Sequence, residues 1–268
     1  MGVLNVTPDS FSDGGCFDSL PEAIDQAARM VAAGADLLDI GGESTRPGAG
    51  EVPEDVELER VVPVIEGLRS RFACGLSIDT SKPGVMQAAV AAGATMINDV
   101  CALQADGAVE TAAQLDVPVC LMHMQGRPRT MQREPTYADV TAAVREFLGS
   151  RMRACVDAGI PEDALLVDPG FGFGKTVEHN LQLLRDLDRI AMLGAPVLVG
   201  LSRKSMIGAL LDRPVEQRLH ASVALALLAA QKGASIVRVH DVGPTVDALR
   251  IWEAVDRREG DRERIIDG

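Results

Sequence analysis

Asp168-Pro169-Gly170-Phe171-Gly172-Phe173-Gly174-Lys175 places one carboxylate, three alternating glycines and a lysine directly after the apolar run Leu165–Val167. A carboxylate at the end of a buried strand, under a loop whose backbone can approach closely, suits a ligand rich in N–H groups. Taken alone, Asp168 reads equally well as the cap of the following turn. The glycines alternate, so they do not form the G-x-G-x-x-G fingerprint, and Gly170 to Lys175-Thr176 is one residue short of the P-loop spacing. Elsewhere, Asp79 and Asn98 offer a carboxylate and an amide that match the edge of an amino-pyrimidinone. Arg46, Lys204, Arg238 and His240 offer positive charge for an anionic group. Asn5 offers a neutral oxygen that a hard cation such as Mg²⁺ could share with phosphate oxygens, although a turn-forming role fits it equally.

These residues need a frame that brings them together. Three segments share one grammar: Met30–Ile40 (MVAAGADLLDI), Ala89–Val100 (AVAAGATMINDV) and Ala229–His240 (AAQKGASIVRVH), with a looser copy at Leu193–Val197. Each is an alanine-rich helix end, a Gly-Ala pair and an aliphatic run, so a helix ends in a left-handed glycine and a strand follows at once. Strands are expected at Val3–Val6, Leu37–Ile40, Leu76–Asp79, Met96–Asp99, Val119–His123, Leu165–Asp168, Val197–Gly200 and Ile236–His240. Helices are expected at Glu22–Ala33, Glu54–Arg71, Val85–Ala92, Ala138–Ala158, His179–Ile190, Ala221–Lys232 and Val246–Val255. Eight strands alternating with helices point to an α/β fold, a (β/α)8 TIM barrel forming one domain over residues 1–268. Asn5, Asp39, Asp79, Asn98, His123, Asp168, Arg238 and His240 then fall at or near strand C-termini, the active face of this fold. Arg238 and His240, two apart, are expected on the same side of their strand. The segments Thr7–Ser19 and Gly41–Pro53 leave the first two strands as long loops, the kind that close over ligands. Ser202-Arg203-Lys204-Ser205 follows the seventh strand, where barrels often hold phosphate.

Composition narrows the partners. A net charge of −13 and an aromatic content of 3% exclude a sequence-independent grip on nucleic acid or anionic membrane. The longest apolar run, Ala221–Ala230, is too short to span a bilayer. Cys16, Cys74, Cys101, Cys120 and Cys155 are odd in number and lack a C-x-x-C pair, which fits a reducing cytosol. No basic-then-apolar leader opens the chain, and Met1 falls inside the expected first strand, so that end of the barrel is expected to be less covered. Only four residues are lysine, Lys82, Lys175, Lys204 and Lys232, so each is a candidate for a special role.

Several blocks in register resemble one family from end to end. Gly2–Gly15 (GVLNVTPDSFSDGG), Gly41–Ala49 (GGESTRPGA), Ser77–Pro83 (SIDTSKP), Ile97–Val100 (INDV), Leu121–Gly126 (LMHMQG), Asp168–Lys175, Gly200–Gly208 (GLSRKSMIG) and Arg238–Val242 (RVHDV) are similar, in order, to segments of the dihydropteroate synthases. The resemblance implies a barrel enzyme of folate biosynthesis. It would condense 6-hydroxymethyl-7,8-dihydropterin pyrophosphate with p-aminobenzoate and release pyrophosphate. Carried over by motif, Asp79, Asn98, Asp168 and Lys204 would hold the pterin, with Asp79, Asp168 and Lys204 acting in catalysis, while Met122, Phe173 and Gly200 would line the pocket. Asn5 would meet Mg²⁺, and Arg238 and His240 would hold the pyrophosphate. Thr45, Arg46, Pro47 and Ser202 would shape the p-aminobenzoate pocket, and Phe11 and Asp13 would close over it. A homodimer and inhibition by sulfonamides, which mimic p-aminobenzoate, are further implied. The alternatives are a corrinoid-linked pterin methyltransferase of the same barrel, a Schiff-base aldolase using Lys204, and a non-catalytic pterin-binding protein.

Overall fold

The computed structural model describes residues 1–7, 19–44, 50–126, 131 and 135–256. Eight parallel strands run in chain order: β1 (Gly2–Asn5), β2 (Leu37–Gly41), β3 (Gly75–Asp79), β4 (Met96–Asp99), β5 (Val119–Met122), β6 (Leu165–Asp168), β7 (Val197–Val199) and β8 (Ala234–Val237). Past β8 the chain pairs with its own start, because Val3 N donates to Val239 O at 3.0 Å and Val239 N donates to Met1 O at 2.9 Å. That seam closes the sheet into the expected (β/α)8 barrel. Most of these strands are short apolar runs because both faces of a parallel sheet are covered, one by helices and one by the opposite wall.

Among the described residues the outer ring comprises α1 (Ser19–Ala32), α2 (Glu54–Arg69), α3 (Pro83–Ala92), α4 (Ala108–Leu115), α5 (Val140–Asp157), α6 (Val177–Arg185), α7 (Leu187–Ala191), α8 (Ser205–Leu211), α9 (Leu219–Gln231) and α10 (Val242–Asp256). The repeated Gly-Ala pairs do what their grammar implies: Gly93 closes α3 at φ +115°, and Gly34, Gly194 and Gly233 are likewise left-handed. Gly159, before β6, is a fifth instance with no alanine after it.

Three expectations are corrected. His179–Ile190 is not one helix; it breaks at Asp186 between α6 and α7, where the Asp186 carboxylate accepts from Thr141 Oγ1 at 2.9 Å on α5. The last strand stops at Val237 rather than His240, because Arg238 N still reaches Val199 O at 2.8 Å while Val239 already belongs to the closing seam. Two short helices, α4 and α8, occupy stretches for which no helix was expected.

Strand alternation sorts side chains into two layers. Outward residues such as Leu38, Ile40, Ile78, Ile97, Leu121 and Val167 join the helices in the main core. Inward, a separate cluster of Met96, Cys120, Leu166 and Leu198, with Met1, Leu37 and Ile236 against it, fills the barrel. Two residues further along each strand the inward side chain sits nearer the C-terminal mouth, and there Asp39, Asn98, Met122, Asp168 and Arg238 stand over this apolar floor.

The exit of β4 is held by an outward acid. Asp99 accepts from Cys101 N at 2.8 Å, from Leu103 N at 2.7 Å and from Ser81 Oγ, while Arg151 donates to Ala102 O and Leu103 O at 2.8 and 3.0 Å. The turn it stabilises carries Ala102 and Leu103 at φ +53° and +54°, a conformation costly without a glycine. Asp99→Ala is expected to lower the urea-unfolding free energy by about 2–4 kcal/mol, from lost charge-assisted bonds to buried N–H groups. A loss below about 0.5 kcal/mol would show that the turn holds itself.

Candidate active site

At the mouth, one guanidinium bridges two strands' acids. Arg238 donates through Nε to Asp39 Oδ2 at 2.6 Å and through Nη2 to Asp79 Oδ2 at 2.8 Å, and Asn98 Nδ2 donates to the same Asp39 oxygen at 3.1 Å. The four groups come from β2, β3, β4 and the exit of β8, so barrel closure alone brings them together. Burial pushes the Asp79 carboxyl up to about 7, and the Arg238 charge offsets this only in part because Asp39 claims the same guanidinium.

Across the barrel, Asp168 ends β6, level with Met122 of β5. Burial raises its pKa; the Gly170 N–H, 2.7 Å from Oδ1, and the charges of Lys204, Lys175 and Arg238 pull the other way. Lys204 lies 4.3 Å from the centroid of the Phe173 ring, a cation–π contact, and burial lowers its pKa to about 8 against the pull of Asp168. Asp168 thus feels the charges of Lys204 and Arg238, and Lys204 those of Asp168, Arg238 and Asp79, so the groups face one space.

The loop after β6 explains its glycines. Gly170 (φ +68°) and Gly174 (φ +62°) are left-handed, and a Cβ on them would lie 1.9 Å from His123 O and 2.4 Å from Gln125 O. The loop therefore lies flat on the exit of β5, which no other residue at those two positions permits. Lys175, 3% exposed, runs beneath it: Nζ donates to Gly170 O at 2.9 Å and Phe173 O at 3.0 Å and lies 2.9 Å from His123 Nδ1.

After β7, Arg203 is left-handed at φ +58° and pairs with Asp241 through Nε and Nη2 at 3.0 and 2.6 Å. Arg218 Nη1 donates to Arg203 O at 3.1 Å, and Ser222 Oγ accepts from Arg203 N at 2.9 Å, so α9 fixes the turn that aims Lys204 inward. Ser202 and His240 pair at 3.0 Å, Oγ to Nδ1. A Cβ on Gly200 would meet nothing within 4 Å. Asn5, partly exposed, ends β1 beside Gly41.

The structure thus places Asp79, Asn98, Met122, Asp168, Phe173, Gly200, Ser202, Lys204, Arg238, His240 and Asn5 at C-terminal strand ends or in the loops that leave them. Phe11, Asp13, Thr45, Arg46 and Pro47 lie outside the described residues. Asp39 was noted as a strand-end acid but given no role; being charged within the buried strand Leu37–Gly41 was the available signal. Lys175 and His123 were missed as a pair because nothing in their spacing of 52 residues joins them. A cleft between Met152, Arg153, Val156 and Leu193 lies outside the barrel and contains none of these groups.

A closed parallel barrel with paired acids, an amide and buried cations over an apolar floor defines a (β/α)8 protein with a polar, charge-balanced mouth. A family model described as pterin binding enzyme matches residues 1–240. The dihydropteroate synthase of Haemophilus influenzae is 56% identical over 254 residues, covering 95% of this chain and 92% of that one. The structure of Xanthomonas albilineans dihydropteroate synthase with 4-aminobenzoic acid superimposes with a TM-score of 0.91 at 56% identity, covering 96% of this chain and 92% of that one. The Yersinia pestis dihydropteroate synthase with a sulfonamide drug complex gives 0.91 at 55% identity, covering 95% and 92%. The chain belongs to the dihydropteroate synthase family.

The buried imidazole gives a pH test. Burial, then the neighbouring Lys175 charge, lowers the His123 pKa to about 3. Above about pH 6.5 the ring is neutral in both folded and unfolded chains; below it the unfolded chain gains a proton that the folded chain cannot, so stability falls as pH falls. Between pH 7 and 5 the wild type should lose about 2 kcal/mol more than His123→Phe. Parallel urea-midpoint curves for the two proteins would disprove the neutral, buried ring.

Proposed function

We propose that the chain condenses 6-hydroxymethyl-7,8-dihydropterin pyrophosphate with p-aminobenzoate, giving 7,8-dihydropteroate and pyrophosphate. The observation that carries this reading is the convergence of Asp79, Asn98 and Asp168 with Lys204 and Arg238 at one mouth of the barrel. Asn98 turns its amide nitrogen to Asp39, which leaves Oδ1 as the acceptor for a ring N–H. Asp168 takes the paired N–H groups of the amino-pyrimidinone edge, Lys204 donates to ring acceptors, and Phe173 and Met122 flank the ring plane.

The reaction breaks one C–O bond to the leaving pyrophosphate and forms one C–N bond, and the proton lost from the arylamine nitrogen passes to the released pyrophosphate. No protein nucleophile is required. As the C–O bond weakens, positive charge grows on the methylene carbon and the ring, and the Asp79 and Asp168 carboxylates stabilise it. The departing anion is held by Arg238 and His240, with Arg46 as a further source of positive charge. In this structure the Arg238 guanidinium is already committed to two acids, so its part is to balance the site's charge as much as to grip phosphate. Thr45, Arg46, Pro47 and Ser202 would shape the p-aminobenzoate pocket, and Phe11 and Asp13 would close over it.

Among the described residues no three acids, histidines or cysteines cluster to cage a metal. Asn5, partly exposed at the end of β1, would offer its Oδ1 to Mg²⁺ alongside phosphate oxygens of the substrate. Mg²⁺ held there would spread the charge of the leaving group. We also place the chain in the cytosol as a homodimer. The four described cysteines are unpaired, and Leu228 of α9 and Ile251 of α10 are 46% and 68% exposed on neighbouring helices. Sedimentation should give twice the chain mass, and Ile251→Glu should halve it; an unchanged mass would move the interface elsewhere.

Pyrophosphate release should require p-aminobenzoate and Mg²⁺ together. Asp168→Asn and Lys204→Ala should each cut turnover on the order of 100-fold, and wild-type rates in either would refute the assigned roles. A sulfonamide should inhibit competitively with p-aminobenzoate; complementation of growth that persists in high sulfonamide would overturn ordinary sensitivity.

A further inference from the structure

Of the four lysines, Lys204 has a place at the mouth, Lys82 pairs with Glu57 at 2.6 Å and with Glu43, and Lys232 is a surface contact to Arg185 O. Lys175 remains: a long cation almost wholly buried, whose cost must be met by specific partners. Those partners are not an acid but the backbone of its own loop and the end of the neighbouring strand. Gly170 O, at one end of the turn, and Phe173 O, at the other, each accept from Nζ, and His123 closes the set. Phe173 N also donates to Gly170 O at 3.1 Å, and Gly172 N, in the middle of the turn, donates to Asn180 Oδ1 at 2.7 Å, so Asn180 holds the centre while Lys175 holds the two ends.

Both ends of that turn lead directly to the site. Gly170 N holds Asp168 Oδ1 at 2.7 Å, and the Phe173 ring carries Lys204 at 4.3 Å. We propose that Lys175 is a positioning residue for binding of the pterin ring: tied to both loop carbonyls and to His123, it fixes the 170–173 turn and so sets where Asp168 and Phe173 stand. The inference rests on the pterin reading above.

The brace tolerates a change of protonation. An ammonium donates to both carbonyls and to the bare Nδ1 of a neutral imidazole. A neutral amine still donates to both carbonyls and accepts from Nδ1–H in the other tautomer. In either state the two loop carbonyls keep their partners. His123 can switch in this way because it stays neutral, packed edge-on against Phe147 at 5.0 Å between ring centroids. The other charged groups facing Lys175 are Asp168 and Lys204, both part of the site.

The test uses the full chain and 6-hydroxymethylpterin, titrated by calorimetry, alongside steady-state kinetics. Lys175→Met keeps the length and removes every donor. Its affinity for 6-hydroxymethylpterin should fall at least tenfold, while the KM for p-aminobenzoate at saturating pterin substrate stays within threefold of wild type. Wild-type pterin affinity in this variant overturns the inference, and so does an equal loss toward both substrates, which would mean general loosening. Should Lys175→Met not fold, His123→Phe decides: it keeps the ring packing and removes one tie. Pterin binding weakened threefold or more supports the brace, and unchanged binding refutes it. A wild-type chain that binds no pterin would bring down the functional reading itself, and this inference with it.

Discussion

Everything at the barrel mouth depends on balancing charge where water is scarce. Asp39, Asp79 and Asp168 are all buried, and Arg238, Lys204 and Lys175 are the cations set against them. In a low-dielectric interior an unpaired ion costs several kcal/mol, so each group is tolerable only while its partners hold their places. That makes the site a property of the strand register rather than of any one loop. A one-residue slip of β2 or β3 would turn Asp39 or Asp79 outward into the aliphatic helix layer. The closing seam at Gly2 and Val239 matters for the same reason, since it fixes the exit of β8 and with it Arg238.

The arrangement is an expensive way to stabilise a barrel. Replacing such an ion cluster with well-packed apolar residues commonly leaves a protein as stable or more so. The apolar floor of Met96, Cys120, Leu166 and Leu198 shows that this interior can be filled in that way one layer down. The polar layer is therefore explained by what it binds and not by what it holds together. Its perturbed groups, Asp79 raised to about 7 and Lys204 lowered to about 8, follow from the same burial.

Much of this was legible in the residues. The Gly-Ala junctions announced the helix-to-strand repeat because a left-handed glycine is a local requirement, readable without tertiary knowledge. Asp79, Asn98 and Asp168 stood out as polar residues ending apolar runs, and the expected barrel put those ends on its active face. What stayed hidden was pairwise and long-range. Arg238 meets Asp39 across 199 residues and Lys175 meets His123 across 52, separations at which sequence periodicity carries no information. The split of α6 from α7 was hidden likewise, at Asp186, whose carboxylate meets Thr141 on another helix 45 residues away.

The alternating glycines after β6 illustrate how local sequence and distant packing divide the specification. Spacing alone excluded a phosphate-binding loop and left the glycines read as a means of close backbone approach to a ligand. Their purpose is contact with β5: two of the three would drive a Cβ into the carbonyls of His123 and Gln125. With the backbone pressed that close, the loop's own carbonyls are turned away from water, and a buried donor has to reach them. Lys175 is that donor, placed by the same short motif. The glycines and the lysine are thus one device: the first lets the loop lie down on its neighbour, and the second satisfies what lying down conceals.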